Sequence, residues 1–270
     1  MSQILYLPHG GGPLPLIGHP GYARLAEMLR SLNDRIAHCK AIIVATAHWE
    51  APRPTLTHAA RPGMLYDYYG FPPETYELVY PAPGAPELAE RAAEAMRMSG
   101  LSPLLDDQRG YDHGVFVPMM LVRPQADIPI LQMSLLSSLD ARQHIALGRS
   151  LATVLADDVC LIGSGFSFHN LGAITGRLPV DPARGAAMAD AFHQWMDDTV
   201  CNPQHSPAER AERLAGWEDA PGARFCHPRE EHLLPLHVCF GAAQAGGLSA
   251  TQIFGEPVQG YRTSGYLWQD

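Results

Sequence analysis

Short apolar runs that lack polar alternation recur along the chain, at residues 4–7, 41–47 (AIIVATA), 128–135 (IPILQMSL) and 159–163 (VCLIG). A strand with one solvated face alternates apolar and polar residues, so undiluted runs of this length suit strands buried on both faces. Between them, residues 22–38, 87–98, 115–122 and 140–155 carry apolar side chains at helical spacing. Strand and helix in alternation predict an α/β fold, one domain over residues 1–270 with a central, mostly parallel or mixed sheet flanked by helices. The stretch 177–222 is less apolar, with helices predicted at 184–200 and near 207–215, and it reads as an excursion from the core.

Composition narrows the range of functions. With 270 residues, 46% of them hydrophobic, the chain is long enough to enclose a sizeable core. Lysine and arginine number 19 against 28 acidic residues, a balance of −9, which leaves no basic surface for a nucleic-acid backbone. No stretch is apolar for long enough to span a bilayer, and the N-terminus reads as a first strand and not a signal peptide. The five cysteines, at 39, 160, 201, 226 and 239, are odd in number and form no C-x-x-C pair. That argues against a disulfide framework and a thiolate zinc knuckle, and the expected setting is a reducing cytoplasm. No oligomeric state is read from the sequence.

The chemistry lies in the histidines. Of 13, eight (His19, His38, His58, His144, His193, His205, His227 and His237) fall on expected helix faces or loops, where solvated or locally hydrogen-bonded imidazole is the default. His9 follows the first strand and precedes Gly10-Gly11-Gly12-Pro13, His48 follows the second, and His169 comes shortly after the strand at 159–163. Ligands of open α/β sheets bind beyond the carboxyl ends of strands, so three imidazoles are aimed at one region. Without thiolates, such a cluster suits iron, zinc, copper or nickel. For His113, in Gly-Tyr-Asp-His-Gly, local sequence reads Asp112 as a helix cap and His113 as exposed. His232 opens the last long helix, where Pro235 is tolerated in the first turn. No H-E-x-x-H occurs. Tyr66, Tyr68, Tyr69 and Phe71, in the proline-rich segment 61–86, either wall an aromatic pocket or pack beneath that loop.

Six segments, PHGGGPLPL, AIIVATAHWE, YDYYGFPPETYELVYPAPG, GYDHGVFVPMMLVRPQADIPILQMSL, GSGFSFHNL and EEHLLPLHVCFGAA, run in order over nearly the whole chain. Together they resemble the class III, LigB-type extradiol ring-cleavage dioxygenases, in the subgroup related to DOPA 4,5-dioxygenase. The resemblance implies a ferrous ion held by His9, His48 and His232, with positions open for a small aromatic diol and dioxygen. Zinc can stand in the same place, with His169 as a fourth ligand. His169 is also the first choice for the catalytic base, and His113 matches the family's second-sphere acid/base histidine. Protocatechuate-type members complete the triad with glutamate, which here would be Glu231; the E-H-x-L-P-L pattern favours His232. The implied reaction breaks the carbon–carbon bond beside the two hydroxyls, giving a muconic semialdehyde-type product. A catechol gives up a proton as it binds and a later intermediate takes one back, which suits histidine. Two other readings use the same residues: a zinc hydrolase with Glu231 or Asp112 as base, and a non-enzymatic interaction protein on this fold. Ser164, in Gly-Ser-Gly, is not flanked as a nucleophile elbow.

Overall fold

Each predicted strand has its place in one eight-stranded sheet, seen in a computed structural model that describes residues 3–156 and 158–269. The strands are β1 (Ile4–Pro8), β2 (Ala41–Ala51), β3 (Thr55–Thr57), β4 (Leu104–Asp106), β5 (Ile130–Leu136), β6 (Val159–Gly165), β7 (Ser249–Val258) and β8 (Tyr261–Gln269). Their order is β4-β3-β5-β2-β6-β1-β8-β7. The central ladders β1/β6, β6/β2 and β2/β5 are parallel, whereas β8 runs antiparallel to β1 and to β7.

The undiluted apolar sequence of the central strands follows from this layering. Ile4, Tyr6, Ile43 and Ala45 enter one core, while Leu5, Leu7, Ile42 and Val44 enter the other. Successive side chains of a strand point to opposite faces, so a sheet covered on both sides needs apolar residues at both parities. The helices Ala141–Ser150 and Leu234–Gly246 pack together on the first face, and Ala23–Ser31 and His113–Val122 cover the second.

Three expectations are corrected. The segment 177–222 is no excursion: helix Pro182–Cys201 packs on β8, and Phe192, Met196, Leu214 and Trp217 belong to the first core. The C-terminal hairpin β7–β8 was not anticipated, although it supplies β1 with its second neighbour. Cys39 and Cys160 are joined as a disulfide, with Cα atoms 6.0 Å apart, against the expectation of none. Their 121-residue separation gives no local signal, because the pair forms only when β2 docks on β6. Among the described residues no helix is long and apolar enough to cross a membrane.

Candidate metal centre

The sheet order places β2, β6 and β1 side by side and parallel, so their carboxyl ends open on one edge. His9 leaves β1 with its amide donating to Gly165 O at 2.9 Å. His48 lies within β2, not beyond it, at a register shift between Ala45 and Glu50 that interrupts pairing with β5. An irregularity of this kind re-aims a side chain. Pairing of β2 with β6 has ended by then, at Thr46 opposite Ser164. His232 stands two residues ahead of helix Leu234–Gly246, and its carbonyl accepts from Phe166 N and Tyr6 Oη, both at 3.0 Å. Gly165 makes this approach possible, since a Cβ there would lie 2.3 Å from His232 O.

All five predicted histidines meet. The Nε2 atoms of His9 and His48 are 3.1 Å apart. The His232 ring centroid is 5.2 Å from that of His9 and 4.9 Å from that of His48. His169 stacks on His232 with centroids 3.4 Å apart and planes 16° apart. His113 is 3.8 Å from His48, centroid to centroid, and is buried, not exposed as the local sequence suggests. At this edge of the sheet the donor atoms fall into two groups, His9, His48 and His113, and His169, Glu231 and His232.

A second layer of acceptors orients these rings. Ser164 donates its hydroxyl proton to Gly114 O, which leaves its oxygen, 3.0 Å from His9 Nδ1, to accept. His9 therefore carries its proton on Nδ1 and turns a bare Nε2 toward His48. Asp67 faces two histidines: Oδ1 is 2.7 Å from His113 Nδ1, and Oδ2 is 3.4 Å from His48 Nδ1. Glu231 does the same on the other side, with Oε1 3.0 Å from His232 Nδ1 and 3.4 Å from His169 Nδ1. Arg229 holds Glu231 at 3.2 Å and forks onto Glu50. Asp112 does not cap its helix; it accepts from Thr46 Oγ1 at 2.8 Å and Arg109 Nη2 at 2.9 Å. Sequence reasoning missed Ser164 and Asp67. The only available cue to Asp67 was an acidic residue among aromatics in a loop otherwise rich in proline and glycine.

Burial dominates the electrostatics. It holds His9, His48 and His232 well below the usual imidazole range, assisted for each by neighbouring histidines. Neutral imidazole is the form that ligates metals. Burial pushes the Asp67 carboxyl up, but hydrogen bonds from the His113 ring and amide and the electrostatic pull of the two facing imidazoles outweigh it, leaving a pKa of about 2. Asp67 is thus an ionised acceptor.

The aromatic segment serves mostly as support. Tyr66 Oη donates to Leu78 O and Tyr68 Oη to Thr75 O, and the Tyr68 ring meets Tyr76, Phe71 and the edge of His113. Tyr69 is 92% exposed and packs in no core.

A family described as the catalytic LigB subunit of aromatic ring-opening dioxygenase matches residues 4–264. A dioxygenase, tasH, of Hapsidospora irregularis is 46% identical over 90% of this chain and 78% of its own length. The 4,5-DOPA dioxygenase extradiol of Beta vulgaris is 38% identical over 90% of this chain and 87% of its own. An uncharacterised Escherichia coli K12 protein of known crystal structure superposes with a TM-score of 0.77 at 26% identity, covering 99% of both chains. With the match spanning nearly every residue from β1 to β8, the chain belongs to the LigB family of aromatic ring-opening dioxygenases.

Proposed function

We propose that this chain is an iron(II)-dependent extradiol dioxygenase that opens the ring of a catechol-type diol with dioxygen to a muconic semialdehyde-type product. The observation that carries the reading is the convergence of the His9 and His48 Nε2 atoms to 3.1 Å in a buried site, with the outer nitrogens of the rings facing acceptors. Two imidazoles bound to one ion at about 2.1 Å each lie roughly that far apart. Neutral, buried imidazoles with ordered tautomers are the donor set such an ion needs. His9, His48 and His232 would hold it, with His169 as an additional ligand when zinc is bound.

Glu231 sits at hydrogen-bonding distance from His232 Nδ1, which supports His232, and not the carboxylate, as the third ligand. A redox-active ion supplies the electronic link between a singlet diol and triplet dioxygen. The chain's own groups do the rest. His169 accepts the proton that the diol loses on binding, with Glu231 beside its Nδ1 to steady the ring. His113, its Nδ1–H anchored on Asp67, presents its other nitrogen to the reacting oxygens. Burial of His9, His113 and His232 keeps water from competing at the centre. The relatives named 4,5-DOPA dioxygenase extradiol support a catechol bearing an amino-acid side chain as the substrate class. We propose further that residues 1–270 work as one catalytic unit and that its setting is the cytoplasm.

The test is anaerobic reconstitution of apoprotein with ferrous iron, addition of a panel of catechols, then admission of oxygen. Oxygen uptake with matching growth of visible absorbance from ring-opened product is expected. Absence of uptake with every catechol tried, together with zinc-dependent ester or amide hydrolysis, would overturn the reading.

A further inference from the structure

A second group of metal-ligating side chains lies at the opposite end of the sheet. His38 and Cys39 precede β2, and Cys160 is the second residue of β6, in register with Ile42. One ligand atom from each, His38 imidazole nitrogen and the two sulfurs, lie within 4.8 Å of one another. Cys39 and Cys160 are nearly buried, whereas His38 is exposed and lines a cavity of about 550 Å³ with Gln3, Ser31, Asp34 and Arg35. The group thus has a buried sulfur floor and an open side.

Gln3 adds an independent observation. It precedes β1, where its carbonyl accepts from Leu161 N at 3.0 Å, which sets it beside Cys160 on the neighbouring strand. Its side-chain Oε1 is buried and has no hydrogen-bond partner among the described residues. A buried, unsatisfied carbonyl oxygen is costly and calls for a partner. It borders the cavity that gives access to His38.

We propose that Cys39, Cys160 and His38 form a binding site for a thiophilic divalent cation, of which zinc is the type, when the Cys39–Cys160 bond is reduced, with Gln3 Oε1 within the same pocket. In the disulfide form the sulfurs are spent on each other and the site is closed. A small dithiol opens it: the disulfide takes up two electrons and two protons to give two thiols, and the reagent closes to its own disulfide. The cation then replaces both thiol protons, which go to solvent. Tetrahedral zinc at about 2.3 Å from each sulfur requires the sulfurs roughly 3.8 Å apart, which side-chain rotation supplies across Cα atoms 6.0 Å apart. Two thiolates and an imidazole select zinc over iron, while the all-nitrogen centre at the other edge carries no sulfur. The two sites are therefore chemically distinguishable.

Cobalt(II) is the probe, because a thiolate–cobalt bond gives an intense near-ultraviolet charge-transfer band that histidine ligation cannot. In denaturant, three reactive thiols are expected before reduction and five after, in keeping with three free cysteines of five. After anaerobic reduction, folded protein given cobalt should develop the thiolate band, and unreduced protein should not. The band should be lost in Cys160→Ser and in Cys39→Ser, with circular dichroism confirming that each variant folds. His38→Ala, at an exposed position, should keep the band and bind cobalt about tenfold more weakly. Cobalt bound to reduced protein without a thiolate band, or a band that survives both cysteine replacements, overturns the site. Unchanged affinity in His38→Ala removes the imidazole from it, and five thiols before reduction overturns the redox gate.

Discussion

Asp67 Oδ1 lies 2.7 Å from His113 Nδ1 and also accepts the His113 backbone amide at 3.0 Å, so one carboxylate fixes the start of a helix and the tautomer of the imidazole that begins it. The same residue reaches His48 through its other oxygen. Replacing Asp67 with Ala is expected to lower kcat by roughly 10- to 100-fold, with a smaller change in metal content. Steady-state kinetics alongside metal analysis checks this. Equal loss of metal and kcat would show that Asp67 matters chiefly through His48.

The two histidines beside Asp67 should separate in their effects. His48→Ala is expected to abolish metal binding, because its Nε2 converges with that of His9, while His113→Ala retains the ion and loses turnover. Elemental analysis of each variant after dialysis decides the matter. Loss of the ion from both would make His113 a ligand, in line with its grouping with His9 and His48.

Ser164 acts at one remove. Its hydroxyl gives its proton to Gly114 O and accepts from His9 Nδ1. Ser164→Ala frees the His9 ring to choose the wrong tautomer, and metal affinity should fall about tenfold. Competition with a chromogenic chelator measures it; an unchanged affinity would mean that packing alone holds His9.

Gly114 has no room for a side chain. An added Cβ would stand 2.5 Å from Thr46 Oγ1 and 3.1 Å from His48 Cδ2. Gly114→Ala is expected to cost about 1–3 kcal/mol of stability by overpacking and to weaken metal binding by displacing His48. Urea denaturation and metal titration report the two effects separately.

Acid should destabilise the fold through histidines outside the centre. Burial holds His193 and His237 at about 4, against an ordinary imidazole value of 6.5. Below pH 6.5 the unfolded chain binds protons that the folded chain refuses, so stability held above that pH declines as pH falls toward 4. The loss approaches about 3 kcal/mol for each group. Urea midpoints measured across this window should fall, and His237→Gln should shallow the slope. A slope unchanged in that variant would assign the acid sensitivity to other groups.

How far the sequence reveals this structure depends on the range of the interaction. The strands at residues 4–7, 41–47 and 159–163 were legible because both of their faces are buried, and the histidines near their ends inherited a place from topology. Strands β3 and β4 have three residues each, too few for a period to register. Strand β7 mixes polar and apolar residues on a half-exposed edge, and β8, though mostly buried, is broken by Arg262, Thr263, Ser264 and Gly265, so neither has the run that marks the central strands. Asp67 and His113 are 46 residues apart, and Ser164 and His9 are 155 apart, so neither partnership leaves a local pattern. The choice between Glu231 and His232 has only a motif behind it in the sequence, because the contact between the Glu231 carboxylate and His232 Nδ1 at 3.0 Å depends on how the two adjacent side chains turn, which no local pattern records.

The position of β1 between β6 and β8 has a consequence for folding. His9 follows β1, yet the strands that flank β1 begin at residues 159 and 261, and His232 lies 223 residues after His9. Pairings this distant in sequence form late and slowly. The donors therefore meet only once β1 has docked between β6 and β8 and the segment around His232 has packed against Gly165, which makes closure of the sheet's middle a condition for forming the centre.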